Sequence, residues 1–363
     1  MVAINMAMPD PTLESVDAAI QARGRSEQAR PYLGMSEIGR ECSRALWYGF
    51  HWCSPVSFDA QAFKRFEDGH RGEALQAERL KMVQGVTLYT ETGGKQFGFS
   101  DHGGHFRGHM DGVVLGLLQA PKTWHVWEHK QTDEKKQRAL EKAKQELGEK
   151  QALKAWDPVY HAQAQAYMGY ANLTRHYLTC ATPGGRHTIS VRTDADAEAF
   201  ASIRDKALRV ITAPEPLAKI SERPDWYQCQ WCSHHALCHD GGMPLVTCRT
   251  CIHSTPELDG DGRWTCRAMA CDIDTDTQRQ GADCPEHRLL PFLVPAEVVD
   301  FERPDEASFC GVRIKYRKPD GTEVWNGSSP GGYASREMAA NFAAAGDPEA
   351  DEIRARFMAE LIG

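Results

Sequence analysis

Gly108-His109-Met110-Asp111-Gly112-Val113-Val114-Leu115 and Trp124-His125-Val126-Trp127-Glu128-His129-Lys130 are the two stretches on which the fold turns. Both are rich in β-branched and aromatic residues and read as strands. Strand side chains alternate between faces, so Glu128 and Lys130 point one way and His129 the other. Asp111 opens the first strand, and its distance from Glu128 in the chain fits two neighbouring strands and a turn. A carboxylate and an ammonium side by side at a strand end, with a second carboxylate on the next strand, suit a hard divalent cation such as Mg²⁺ or Mn²⁺. Lys130 would then orient an attacking water and help deprotonate it, while the cation offsets charge building on a phosphate. Each feature is common by itself. Glu-x-Lys in a strand is most often a solvated ion pair, and Asp before Gly a turn residue.

Outward from this pair, the pattern predicts further strands at 86–89, 96–99, 174–179 and 186–191. Helices are expected at 36–48 with Ser36 as N-cap, 60–82, 134–154, 158–170 and 194–211. The Lys and Arg residues of 134–154 are nearly balanced by acids, which gives either phosphate contacts or a solvated face of Glu/Lys pairs. Helices and strands interleaved in this order imply an α/β (α+β) architecture, a mixed sheet flanked by helices.

Asp111 and Glu128-x-Lys130 together resemble the two core motifs of the PD-(D/E)XK nuclease superfamily. Gly69-His70-Arg71-Gly72-Glu73 looks like that family's first motif, which supplies a further metal ligand from a helix. Glu73 falls at the expected place, and His70, one helical turn away, is its competitor. Gln163-x-x-x-Tyr167 resembles the Q-x-x-x-Y motif of RecB-like exonucleases, which contacts DNA near the cut. Without the resemblance, Tyr167 reads as core and Gln163 as surface, while Gln165 and Tyr170 read as structural. The resemblance covers about 34–240 and implies a restriction-endonuclease-like fold and cleavage of DNA phosphodiester bonds with Mg²⁺ or Mn²⁺.

Nine of the twelve cysteines lie between Cys229 and Cys310, several in C-x-x-C pairs that favour metal chelation over mutual disulfides. Cys229, Cys232 and Cys238 form a tight run that needs a fourth partner, and Cys42 is the candidate. Three clustered thiolates and one distant N-terminal one suit a [4Fe–4S] cluster. This is similar to the iron–sulfur branch of RecB-like nucleases, AddB and the CRISPR adaptation nucleases among them, where a cluster ties the two ends of the domain together. The competing reading is zinc with His234, His235 or His239 as fourth ligand. Cys248, Cys251, Cys266 and Cys284 have zinc-ribbon-like spacing, with Cys271, His253 and His287 as rival ligands, and suggest a closed structural Zn²⁺ site. Cys53, Cys180 and Cys310 read as packing residues. Trp226, Trp231 and Trp264 flank the clusters and are expected to shield them.

The chain has 363 residues, room for about two domains. Its 41% apolar and 25% charged residues exclude a disordered polymer, and no apolar run approaches the ~20 residues that span a bilayer. Residues 1–12 lack a basic stretch followed by a long apolar core, so no secretory signal is expected and a cytoplasmic location with reduced thiols follows. The formal net charge is −8, from 42 basic and 50 acidic residues, so contact with DNA must come from a local patch. The expected organisation is a peripheral segment 1–30, a nuclease domain 31–240 with its cluster, a zinc-ribbon-like module 245–295 and a small α+β tail 296–363 with a hairpin turn at 319–322 and two helices. The last part looks like an accessory module of phage or prophage nucleases. The function so implied is an exonuclease in DNA end-processing or recombination, with DNA and a recombination or repair protein as partners. The alternative is a non-cutting iron–sulfur and zinc protein that binds nucleic acid on the same fold.

Overall fold

The computed structural model describes residues 10–24, 29–55, 58–305, 308–327 and 332–343. The elements of the first part are α1 (Pro11–Gly24), β1 (Leu33–Gly34), α2 (Ser43–Phe50), α3 (Ala60–Lys81), β2 (Thr87–Tyr89), β3 (Glu91–Thr92), β4 (Lys95–Gln96), β5 (Gly98–Asp101), β6 (Phe106–His109), β7 (Gly112–Leu115) and β8 (His125–Gln131). They are followed by α4 (Glu134–Leu147), α5 (Glu149–Trp156), α6 (Pro158–Ala171), β9 (Arg175–Ala181), β10 (Thr188–Asp194) and α7 (Ala197–Thr212).

The central sheet runs β10-β9-β8-β7-β2. Its β8/β9 pair is parallel and the other pairs antiparallel. A parallel pair needs a long crossover, and α4, α5 and α6 provide it. Strand alternation sorts the apolar side chains. Leu178 and Cys180 of β9 pack with Leu140, Leu153 and Ala164 of the crossover helices, whereas Trp127 of β8 and Tyr177 of β9 pack with Ala77 and Leu80 of α3. The sheet is therefore covered by helices on both faces, as the sequence pattern predicts. A smaller sheet, β1-β6-β5, stands beside it.

Local chemistry explains the helix ends. Asp59 caps α3 through Ala62 N–H at 2.7 Å, and Arg79 and Lys81 occupy its last turn. Asp133 caps α4, while Asp157 caps α6 ahead of Pro158. The expected single helix over 134–154 is two, because Gly148 takes φ +80° and closes α4 before α5 begins. Its exposed side carries Arg138–Glu134 and Lys142–Glu146 pairs, the solvated face. Ser36 caps no helix. Glu37 and Arg40 close turns instead, and α2 starts at Ser43 with Cys42 as its N-cap residue. The expected strand 96–99 is divided between β4 and β5, and Asp111 lies in a bend between β6 and β7 rather than inside a strand.

The Cys-rich segment is more regular than its sequence suggests. It holds the short helices α8 (Tyr227–Gln230) and α9 (His235–His239), then a sheet of β11 (Ser254–Pro256), β12 (Trp264–Cys266) and β13 (Cys271–Ile273), and then α10 (Thr275–Arg279). Trp264 is buried in the main core beside Phe50, His51 and His105. Beyond it, β14 (Glu297–Glu302), β15 (Arg313–Arg317), β16 (Glu323–Asn326) and β17 (Gly332–Tyr333) form a further sheet with α11 (Ser335–Ala343). The hairpin turn closes where expected, through Lys318 N–H to Thr322 O at 2.8 Å and Gly321 at φ +84°. The second expected C-terminal helix lies outside the described residues. Among the described residues, no helix is long and apolar enough to cross a membrane.

Leu178 is fully buried between strands and crossover helices, whereas Leu118 is 81% exposed. Leu178→Ala is expected to lower unfolding free energy by about 3 kcal/mol, and Leu118→Ala by less than about 0.5 kcal/mol, in urea denaturation. Equal midpoints for the two variants would contradict this packing.

Candidate active site

The bend at Asp111 and the end of β8 meet at the floor of an open cleft of about 800 Å³. Two backbone hydrogen bonds lock them together. Asp111 Oδ2 accepts from His129 N–H at 2.7 Å, and Asp111 N–H donates to Glu128 Oε1 at 3.2 Å. Lys130 Nζ donates to Glu128 Oε2 at 2.8 Å. The structure thus brings Asp111, Glu128 and Lys130 into direct contact.

α3 supplies the next group. Gly72 is buried against β8, where a Cβ would collide with Gln131 Oε1. The absence of a side chain there lets α3 approach β8 and turn Glu73 toward Asp111. Glu73 and His70 both line the cleft. Glu73 is half-buried and His70 exposed.

Charge is concentrated here. Burial, then Asp111, pushes Glu128 up to about 8, more than the Lys130 ion pair offsets. Burial and Asp111 likewise raise Glu73 to about 7. Asp111 is itself raised by burial, against the pull of Lys130 and His70. Burial opposes the charge on Lys130, but Glu128 and Asp111 together outweigh it and hold the ammonium protonated. Three carboxylates that crowd one another with one ammonium among them fit a hard divalent cation, whose charge would let all three ionise. Among the described residues, no three His, Cys, Asp or Glu side chains stand as a finished ligand set.

Gln163 and Tyr167 line the same cleft from α6. Both are buried, so Gln163 is not the surface residue that its polarity suggests. Gln163 Nε2 donates to Tyr167 Oη at 3.2 Å, which leaves the phenol hydrogen free to point elsewhere. Gly108 makes room for this ring, since a Cβ there would sit 2.8 Å from Tyr167 Cε1.

Sequence reasoning missed two groups. Tyr160 lies between two ammonium groups, with Lys130 Nζ 5.3 Å and Lys136 Nζ 4.8 Å from its ring centroid. Arg30, Tyr32 and Arg107 form the other wall of the cleft. Arg107 could have been found from the alternation in Phe106-Arg107-Gly108-His109, but nothing local marks Arg30 or Tyr160.

All the cysteines are free thiols, and nine of them fall in two groups, Cys42, Cys229, Cys232 and Cys238 in one and Cys248, Cys251, Cys266, Cys271 and Cys284 in the other. Cys42, at the N-cap of α2, lies close enough to Cys229 and Cys238 to affect their ionisation, as Cys232 does for Cys229. Burial raises the Cys238 thiol, against the pull of Arg44 and Lys219 beside it. Of the rival histidines, His234 Nδ1 is 3.0 Å from Ser54 Oγ, and His235 Nδ1 is 2.9 Å from Cys229 O. Trp231 is 87% exposed.

In the second group, burial raises Cys248 to about 12, helped by Cys284, Cys266 and Cys271. Burial does the same to Cys251, whose Sγ accepts backbone N–H bonds from His253 and from Arg288, the latter at 3.4 Å. Backbone donors aimed at sulfur suit metal-bound thiolates. Cys271 faces Cys266 across the β12/β13 pair. His253 Nε2 and His287 Nδ1 are buried with no hydrogen-bond partner among the described residues.

No family model and no curated protein matches the chain. Solved structures with similar arrangements include SSO0001, 14% identical over 64% of this chain and 98% of that one, with a TM-score of 0.37. An alkaline exonuclease from Laribacter hongkongensis is 14% identical over 54% of this chain and 90% of that one, at 0.35. A phage-related exonuclease from Haemophilus somnus 129PT is 15% identical over 40% and 69%, at 0.28.

Glu73 and Glu128 bind protons more tightly folded than unfolded, because burial and the nearby Asp111 raise both above the ordinary glutamate range. Their contribution to stability is complete below about pH 4.5 and is lost as pH rises through about 7 to 8. In EDTA, Tm is expected to fall across this window. The fall should be shallower in Glu128→Gln, and Mn²⁺ should raise Tm more at its upper end than at its lower end. Identical Tm–pH curves for both proteins, measured by calorimetry, would contradict the crowding.

Proposed function

We propose that this chain is a metal-dependent deoxyribonuclease of the PD-(D/E)XK type, an exonuclease acting in DNA end-processing or recombination. The observation that carries this reading is the hydrogen-bonded Asp111–Glu128–Lys130 group on the cleft floor with Glu73 beside it. Asp111, Glu128 and Glu73, with His70 as the alternative helix ligand, would hold Mg²⁺ or Mn²⁺. Once bound, the ion supplies a Lewis acid that offsets charge on a phosphate and favours hydroxide over water.

The chain's own residues do the rest. Lys130, held by Glu128 Oε2 and by the Tyr160 ring face, donates to the attacking water or a phosphate oxygen. It can accept a proton only when the neighbouring carboxylates are neutralised. Tyr167, its oxygen already accepting from Gln163, donates its hydrogen to the strand being cut. Arg30 and Arg107 give an acidic chain the local basic patch that contact with a phosphate backbone requires.

The thiol groups complete the proposal. Cys42, Cys229, Cys232 and Cys238 are assigned to a [4Fe–4S] cluster that staples the ends of domain 31–240. Cys248, Cys251, Cys266 and Cys284 are assigned to a structural Zn²⁺ in module 245–295. A recombination or repair protein is the proposed partner.

With Mn²⁺ and end-labelled duplex DNA, Asp111→Ala and Lys130→Ala are each expected to lose about a thousandfold in rate while remaining folded by circular dichroism. Wild-type activity in Asp111→Ala would remove the nuclease assignment, and a wild type that binds DNA without cutting would favour the inactive binder. Anaerobically purified protein should be brown and contain both iron and zinc. Cys42→Ala should lose iron alone, and Cys248→Ala zinc alone. A colourless wild type containing only zinc would remove the cluster.

A further inference from the structure

Three successive backbone carbonyls lead into the basic wall of the cleft, and each is held by a different side chain. Ala29 O accepts from Arg279 Nη2 at 3.0 Å, Arg30 O from Trp52 Nε1 at 2.9 Å, and Pro31 O from Arg249 Nη2 at 2.9 Å. Two of these donors come from the Cys-rich segment, 250 and 218 residues further along the chain. Exposed loop carbonyls ordinarily bond to water. Three in a row captured by fixed donors define the path of the chain at that point.

The donors are themselves tightly held. Arg249 is 1% exposed and donates to uncharged acceptors throughout, with Nε to Gln278 Oε1 at 2.8 Å and Nη1 to Phe50 O at 2.7 Å. Its guanidinium lies 3.8 Å from the Trp52 ring centroid and 4.7 Å from that of Trp264. Burying such a cation is costly, and carbonyl dipoles and ring faces are what offset the cost. Arg279 lies 4.9 Å from the same Trp52 ring. Trp52 has a φ of +52°, a backbone conformation that a bulky residue adopts only where the surroundings hold it.

The clamped segment ends at the cleft. Arg30 and Tyr32 line it, Arg30 Nη1 is 3.4 Å from Ser36 Oγ, and the Arg107 guanidinium is 5.8 Å from the Tyr32 ring centroid. β1 then pairs with β6, the strand that leads to Asp111.

We propose that Arg249 and Arg279 are positioning residues for the substrate. Through the carbonyls of Ala29, Arg30 and Pro31 they set where Arg30 and Tyr32 stand, so the Cys-rich segment governs how tightly DNA sits in the cleft and leaves the hydrolytic step alone. The identity of the ligand rests on the nuclease reading.

The test is a double-mutant cycle on DNA affinity, read by fluorescence anisotropy of a labelled duplex in Ca²⁺ with the full chain. Arg30→Ala is expected to weaken binding about tenfold, the value of one Arg–phosphate contact. Arg279→Ala should weaken it about fivefold in the wild-type background and less than about twofold in the Arg30→Ala background, because it acts through Arg30. Arg249→Lys keeps the charge but not the fork and should behave in the same way. In Mn²⁺, KM should rise in Arg279→Ala with kcat within about twofold of wild type. Additive losses, unchanged affinity in Arg279→Ala, or a fall in kcat at constant KM would each overturn the proposal. A wild type that shows the coupling but does not cut DNA would sink the nuclease reading alone. A cutting enzyme with additive losses would sink the clamp alone.

Discussion

The mutual lock between Asp111 and the end of β8 is the constraint around which the rest of the site is arranged. Asp111 accepts from one backbone N–H of β8 and gives its own N–H to Glu128, so two like charges are held side by side by bonds that do not depend on a counter-ion. Like charges in a buried place are unstable unless one takes a proton or a cation joins them. Lys130 supplies one positive charge, and burial and crowding still raise both Glu128 and Glu73. The crowded site holds its protons near neutral pH, and a divalent ion bound there, as proposed, would have to displace them.

The fold serves this arrangement. A parallel β8/β9 pair forces a long crossover, and that crossover places α6, with Gln163 and Tyr167, over the strand end that carries Glu128 and Lys130. Gly72 and Gly108 act as spacers. One lets α3 bring Glu73 against β8, and the other seats the Tyr167 ring. The Cys-rich segment is part of the same construction, since Trp264 and Ile273 belong to the main core and Arg249 reaches Phe50 and Pro31.

What could be read in the sequence was what local periodicity controls. The face shared by Glu128 and Lys130 follows from strand alternation, and that shared by Gln163 and Tyr167 from one helical turn. The nearness of Cys42 to Cys229 and Cys238 was suggested by a three-thiol run that asks for a fourth partner. Arg30, Tyr32 and Tyr160 were not legible. Arg30 and Tyr32 reach the cleft beside β1, which pairs with a strand some seventy residues away, and Tyr160 reaches Lys130 from a crossover helix whose roll is set by packing. Ser36 misled because a serine before an apolar period is also how a turn begins. The break at Gly148 needed only the left-handed backbone that glycine allows.

The most direct measurement is anomalous diffraction from crystals of the wild-type protein soaked in Mn²⁺. The account predicts a peak on the cleft floor, about 2.1 Å from carboxylate oxygens of both Asp111 and Glu128 and facing Glu73, and its loss in Asp111→Asn. An empty floor at saturating Mn²⁺, or a peak that survives Asp111→Asn unchanged, would contradict it.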